Sequence, residues 1–361
     1  MSTLLEIIRH EIHISGVLPF ARFMELALYC PDSGYYETKK DIGRRGDFYT
    51  SVSVGELFGQ LLACQFAEWL KPLRSAKCGV RIVEAGAHDG KLAADILNWL
   101  QLKRPKLFGQ IGYGIVEPSA WRQEWQRETL KDFAPRVRWF SDFQAMVGRD
   151  SVEPKFHGVI FSNELLDAFP VRRFGWDAKN KNWFEWGVAI AGDKFIWAKI
   201  PTPHSAFCTP QLEAVLPDGY TIETSPAAEN WWREAAGVLA RGKLLAIDYG
   251  FTADEMFSPA RTRGTLRAYF RHHATDDLLA NPGDHDLTAH VNFSAIQKAG
   301  EKAGLKTEDF CTQPQFLTRI LQKTVTEKSF ANLDAKQVRQ FQTLTHPEHL
   351  GRAFRVLVQS R

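Results

Sequence analysis

The chain has 361 residues, 44% apolar and 24% charged, and 45 Lys and Arg against 42 Asp and Glu leave a net charge of +3. That length allows two domains or one large domain with insertions, and an aromatic share of 12% excludes disorder as the main theme. The near balance of charge argues against a basic nucleic-acid binder, and no uncharged apolar run approaches the roughly 18 residues of a membrane span.

Helical spacing opens the chain at 3–14 (Leu4, Ile7, Ile8) and at about 20–29 (Phe20, Phe23, Met24, Ala27). The opening segment carries Glu6 and Glu11 and has no continuous apolar core, which excludes a secretory signal and disfavours a transit peptide. Cys30-Pro-Asp-Ser-Gly34 is turn chemistry that stops the second helix. The five cysteines, Cys30, Cys64, Cys78, Cys208 and Cys311, form no C-x-x-C pair. A disulfide framework or structural zinc site is therefore not expected, and a reducing, cytoplasmic setting is. The polar stretch DIGRRGDFYTSVSVG reads as loop, and helix resumes at about 56–70.

From about residue 79, β-rich runs and helices alternate. The runs are Val80–Glu84, Tyr113–Glu117, Val137–Phe140 and Gly158–Phe161; helices fall at about 90–102 and 119–132. Short-interval alternation predicts a parallel, doubly wound sheet with ligands at the carboxyl ends of its strands. After Pro170 the pattern breaks into antiparallel strands at Val171–Phe174, Trp183–Ile190 and Lys194–Ile200, with a Gly192-Asp193 turn. A helix at about 226–239 and a strand at Leu244–Asp248 resume the sheet. Residues 251–292, rich in Gly, Pro, His and Asp, read as one long loop, and Phe354–Val358 is the closing strand.

Three constellations carry chemistry. The first is Glu84-Ala-Gly86-Ala-His88-Asp-Gly90-Lys-Leu, between a strand and a helix. Glycine lets backbone turn sharply and approach a ligand, and the helix start offers free N–H groups. Glu117, at the end of the second strand, can accept two hydrogen bonds from a ribose diol. A P-loop is disfavoured, because Gly86 to Gly90 is one residue short and Leu92 stands in place of Ser or Thr; a dinucleotide site lacks its third glycine. S-adenosylmethionine, with an ammonium, a sulfonium and a ribose, suits the acidic surroundings best. The alternative for the turn alone is an α/β connection with no ligand.

The second constellation is Ser162-Asn163-Glu164-Leu-Leu-Asp167 after the fourth strand. Two carboxylates with an Asn can hold a cation or take a proton; equally, Asn163 can cap a helix whose dipole Glu164 and Asp167 answer. The third is Gly46-Asp47-Phe-Tyr-Thr50-Ser51, in which Asp47 and Thr50 alone read as turn and cap residues. His272, His273, His285 and His290 match no zinc spacing, so no metal is expected. A G-x-S-x-G elbow does not occur.

Together these pieces resemble the MidA-like family of class I S-adenosylmethionine-dependent methyltransferases, which includes an arginine-methylating assembly factor of mitochondrial respiratory complex I. The matching stretches are ALYCPDSGYY (27–36), GDFYTS (46–51), VEAGAHDGKLAADIL (83–97), YGIVEPS (113–119), SNELLDAFPV (162–171), GTLRAYFRH (264–272), DLTAHVNF (286–293) and LGRAFRVL (350–357). They run in order over nearly the whole chain. Two positions depart from the family's pattern: His88 stands where a middle glycine is usual, and Asn292 where an Asp is.

The resemblance implies an α/β class I methyltransferase (Rossmann-like) fold, with a mostly parallel seven-stranded sheet. A helical N-terminal cap over 1–75 and a methyltransferase domain over 76–361, with a β-rich insertion near 171–225, are expected. It implies protein arginine N-methylation, S-adenosyl-L-methionine as cofactor, and a protein substrate such as a respiratory complex I subunit; a homodimer is admitted. Glu84, Gly86, His88, Gly90, Glu117, Asp142, Asp47 and Thr50 form the expected cofactor-binding set. In it Glu84 lies near the ammonium, Glu117 near the ribose and Asp142 near the adenine amine. Glu164, Asp167 and Asn163 form the expected catalytic set. A non-catalytic assembly factor and a small-molecule methyltransferase are the alternatives.

Overall fold

The computed structural model describes residues 3–38, 50–73, 80–148, 156–202, 215–270, 273–275, 277–326, 333–351 and 353–361. The chain forms two compact units, one drawn from 1–48, 167–229 and 251–294, the other from 49–166, 230–250 and 295–361.

In the first unit, Thr3 caps the helix Leu4–Ser15 in a reciprocal capping box with Glu6. Its buried stripe (Leu4, Ile8, Ile12) and that of the helix Phe20–Tyr29 share one core with Val171 and Val188. The β-rich insertion is an antiparallel sheet in the order Leu18–Pro19, Asn182–Ala191, Arg172–Asp177, Thr221–Thr224, with Lys194–Pro201 on the Asn182–Ala191 strand. Gly192 takes φ 57° in the expected hairpin turn. The stretch read as one long loop differs from expectation. It holds the short helix Ala253–Met256 and a three-stranded sheet, His273–Thr275, Arg267–Phe270, Asp286–Thr288. Strands of three or four residues among Gly, Pro and Asp are too short for alternation to register.

A buried clasp closes this unit. Glu223 accepts hydrogen bonds from the Thr265 backbone N–H at 2.8 Å and hydroxyl at 3.2 Å, and pairs with Arg173 at 3.4 Å. Burial raises the Glu223 carboxyl from its ordinary range despite these partners. Gly264 takes φ 71°, and a Cβ there would overlap the Glu223 carboxylate. Gly264→Ala is therefore expected to destabilise the protein by about 2–4 kcal/mol, from left-handed strain plus overpacking. A thermal melt equal to wild type would contradict this.

The second unit is built on seven strands side by side, in the order Lys306–Thr312, Phe354–Ser360, Leu239–Phe251, Phe156–Asn163, Val80–Ala85, Ile111–Val116, Val137–Phe140. The Leu239–Phe251 to Val137–Phe140 pairings are parallel, and only Phe354–Ser360 runs against its neighbours. These seven strands run in the mostly parallel order expected. Chain order reverses between the adjacent strands Val80–Ala85 and Phe156–Asn163, and the crevice at such a switch point is where ligands bind. The helices Leu57–Leu70 and Lys91–Lys103 bury Leu61, Leu62, Phe66, Ile96 and Leu100 against one sheet face.

The two units cut across the expected 1–75 and 76–361 segments. The first two helices bury their stripes with the insertion, whereas Leu57–Leu70 shares its core with Lys91–Lys103 and the large sheet. No described helix is long and apolar enough to cross a membrane.

Candidate cofactor site and carboxylate turn

The glycine loop leaves the carboxyl end of Val80–Ala85. Gly86, His88 and Gly90 all take left-handed backbone, at φ 71°, 47° and 82°. His88 thus adopts the conformation a glycine would adopt there, and the loop keeps its turn. A Cβ at Gly86 would stand 2.7 Å from Leu165 Cδ1. The imidazole of His88 lies edge-on to Trp125, with centroids 5.0 Å apart, and its Nδ1 is 3.7 Å from Asp89. Burial would raise the Asp89 carboxyl, but His88 and the Lys91 N–H prevail and lower it.

Glu84 has a partner that its place in the motif does not suggest. It is 2% exposed and accepts a hydrogen bond from Tyr113 Oη at 2.6 Å. Burial pushes its carboxyl up to about 8. At neutral pH this group is mostly a neutral acid bonded to a phenol.

Glu117 is buried where the Ile111–Val116 strand ends. Its Oε1 accepts from the Ser119 N–H at 3.0 Å and its Oε2 from Gln126 Nε2 at 3.2 Å. The same Gln126 amide donates to the His88 carbonyl at 3.0 Å, and its oxygen accepts from Trp139 Nε1 at 3.0 Å. Gln126 therefore ties the glycine loop to Glu117. Asp142 is the N-cap of the helix Phe143–Val147, accepting from the Ala145 N–H at 2.6 Å and the Ser141 hydroxyl at 3.0 Å.

The turn after Phe156–Asn163 does not take the form of a helix start that Asn163 would cap. Glu164 is not in the first turn of a helix but in left-handed backbone at φ 51°, a costly conformation for a residue with a side chain. Its Oε1 accepts from the Ser51 N–H at 3.0 Å and from Asn163 Nδ2 at 3.1 Å. Ser51 opens the short helix Ser51–Val54, which Thr50 caps in a capping box with Ser53. Thr50 thus acts here as a cap that presents the N–H of its neighbour to Glu164. Asn163 is 9% exposed, and its Oδ1 is buried with no hydrogen-bond partner.

Asp248, to which the sequence pattern gave no role, fixes this turn. It is fully buried, and its Oδ2 accepts from the N–H groups of Leu165 and Leu166 at 3.0 and 2.7 Å. An acidic residue closing the apolar run LLAI was the available signal.

Asp167 belongs to the first unit. It is 7% exposed, and its carbonyl accepts from the Ala289 N–H at 2.9 Å. Beside it, Tyr36 Oη donates to Asp286 at 3.0 Å and the Tyr29 hydroxyl donates to the Ala168 carbonyl at 2.9 Å. Asp47 lies outside the described residues.

The second unit therefore brings together Gly86, His88, Gly90, Glu117, Asn163, Glu164 and Thr50 around the switch point. This arrangement fits S-adenosylmethionine. The loop's left-handed turn at 86 and 90 is open only to glycine, since a Cβ there would run into Leu165 or Leu130. Glu117 is a buried carboxylate fixed by two donors at a strand's carboxyl end, and the N-terminus of Lys91–Lys103 adjoins the loop.

The comparisons agree with this geometry. A family model described as "Putative S-adenosyl-L-methionine-dependent methyltransferase" matches residues 61–311. The chain is 29% identical to the mouse mitochondrial protein arginine methyltransferase NDUFAF7, over 83% of this chain and 70% of that one. The human NDUFAF7 is 28% identical, over 98% and 82%. A solved structure from Burkholderia thailandensis, bound to S-adenosyl-homocysteine, is 35% identical with a TM-score of 0.85, covering 99% of this chain and 92% of that one. The fold is thus the class I-like α/β fold that the sheet order displays, and the chain belongs to the MidA-like family of S-adenosylmethionine-dependent methyltransferases.

Proposed function

We propose that this protein transfers a methyl group from S-adenosylmethionine to an arginine side chain of a protein. The observation that carries the reading is Glu164: a carboxylate held in left-handed backbone by the Ser51 N–H and Asn163, one residue before the leucine that touches the glycine loop. Relatives named protein arginine methyltransferases support the acceptor. The respiratory complex I class of substrate, a cytoplasmic location and a homodimer belong to the same proposal.

When bound, S-adenosylmethionine supplies a methyl carbon activated by its sulfonium. Gly86 and Gly90 would shape the backbone turn that its methionine part lies against, and Glu117 would hold its ribose. Arginine's guanidinium is cationic at any physiological pH and its nitrogens are poor nucleophiles. Glu164 localises that positive charge, orients the reacting nitrogen and accepts its proton; Asn163 holds Glu164 in place.

Labelled-methyl transfer into lysate of cells lacking this protein, followed by acid hydrolysis, tests the acceptor. The expected product is labelled methylarginine in protein. Label confined to small molecules would favour the small-molecule alternative, and cofactor binding with no label at all the non-catalytic one.

A further inference from the structure

We propose that Gln126 is the positioning residue that sets Glu117 for recognition of the cofactor's ribose, so that nucleoside selectivity depends on a side chain expected to touch no part of the ligand. The inference rests on the reading of Glu117 as the ribose acceptor. Gln126 is fully buried on the helix Ala120–Thr129, whose other side chains are partly or fully exposed. Its side chain makes three hydrogen bonds, and each does something different. Trp139 Nε1 donates to its oxygen at 3.0 Å, which fixes which way the amide faces. One contact of its nitrogen is the His88 carbonyl at 3.0 Å, at the left-handed residue of the loop. The other is Glu117 Oε2 at 3.2 Å. Each Glu117 oxygen thus has a donor of its own, Ser119 on one and Gln126 on the other, so the carboxylate plane is set before any ligand arrives. Preorganised acceptors discriminate better than mobile ones, because no ordering remains to be done on binding.

The test is a ligand–variant cycle by calorimetry, with S-adenosyl-homocysteine and its 2′,3′-dideoxyribose analogue as probes, on the full chain and on Glu117→Ala and Gln126→Met. Wild type is expected to prefer the ribose form by about tenfold or more, the scale of hydrogen bonds to a charged group. Glu117→Ala removes that preference. Gln126→Met conserves side-chain volume and is expected to cut it below about threefold, with the dideoxy analogue bound nearly as in wild type. A residue that is merely structural would lower both affinities together and leave the ratio intact. A Gln126→Met protein with the wild-type ratio, alongside a Glu117→Ala protein that has lost it, overturns the proposal alone. A wild type that binds both ligands equally overturns the ribose reading and the proposal with it. Should Gln126→Met not fold, Gln126→Asn, one methylene shorter, is judged by the same ratio.

Discussion

Glu164→Gln is expected to bind the cofactor as wild type does and to lose at least about 100-fold in methyl transfer, the lower range for removing a positioned proton acceptor. The substitution removes charge with little change of shape. A glutamine oxygen can still accept from the Ser51 N–H and from Asn163 Nδ2, the two donors that hold Glu164 Oε1. The turn itself is held independently, since Asp248 accepts from the Leu165 and Leu166 N–H groups. The fold should therefore survive. If Glu164 only stabilises the turn, the variant instead melts earlier, by about 0.5–2 kcal/mol, with turnover per folded molecule intact. Single-turnover methylation and thermal melting on the same samples separate these outcomes. Full activity in the folded variant removes Glu164 from the mechanism.

Glu84→Gln is expected to stabilise the protein at neutral to alkaline pH. Burial raises the Glu84 carboxyl to about 8 in the folded protein, so the native state binds this proton more tightly than the unfolded chain does. The sign follows from that. Stability linked to the proton is fully present below the ordinary carboxylate range, falls as pH rises through 5, 6 and 7, and is lost above about 8. Tyr113 donates to the carboxylate, while Asp89 and Asp95 add to the upward push. Lys91 pairs with Asp95 at 2.8 Å. Glutamine accepts the same Tyr113 hydrogen bond and never ionises. The variant's advantage should grow from near zero at about pH 4.5 to roughly 3–5 kcal/mol near pH 9. Melting curves across that range read it directly. An advantage that does not grow with pH would mean that Glu84 is ionised in the folded protein.

Much of the large sheet was legible because its central strands are short apolar runs bounded by glycine, acid or proline, and Val80–Ala85 and Phe156–Asn163 are buried almost throughout. The edge strand Lys306–Thr312 was not legible. Its sequence KTEDFCT has no apolar alternation, and its burial pattern is exposed or intermediate throughout. The helices Gln313–Thr326 and Ala335–Thr345 follow it and were missed with it. In the site, the glycine loop and the acidic strand end stood out because their chemistry is local in sequence. Gln126, Asp248 and Ser51 did not. Each is a single polar residue whose partner in the site lies well outside its own motif, and only folding joins Ser51 to Glu164 or Asp248 to Leu165. Tyr113 is the same kind of case, an apparent strand aromatic that holds Glu84 across adjacent parallel strands. The alternative reading of Asn163 as a helix cap fails for a local reason: Glu164 leaves helical backbone, so no helix begins there to be capped.

The central claim, that the glycine loop is the seat of the cofactor, is tested most directly by calorimetric titration of S-adenosylmethionine into wild type and Gly86→Val. A branched side chain at φ 71° strains the turn, and its Cβ would stand 2.7 Å from Leu165 Cδ1. The account predicts binding of one cofactor per chain in wild type and none in the folded Gly86→Val protein. No binding in wild type at millimolar cofactor, or equal binding in both proteins, would contradict it.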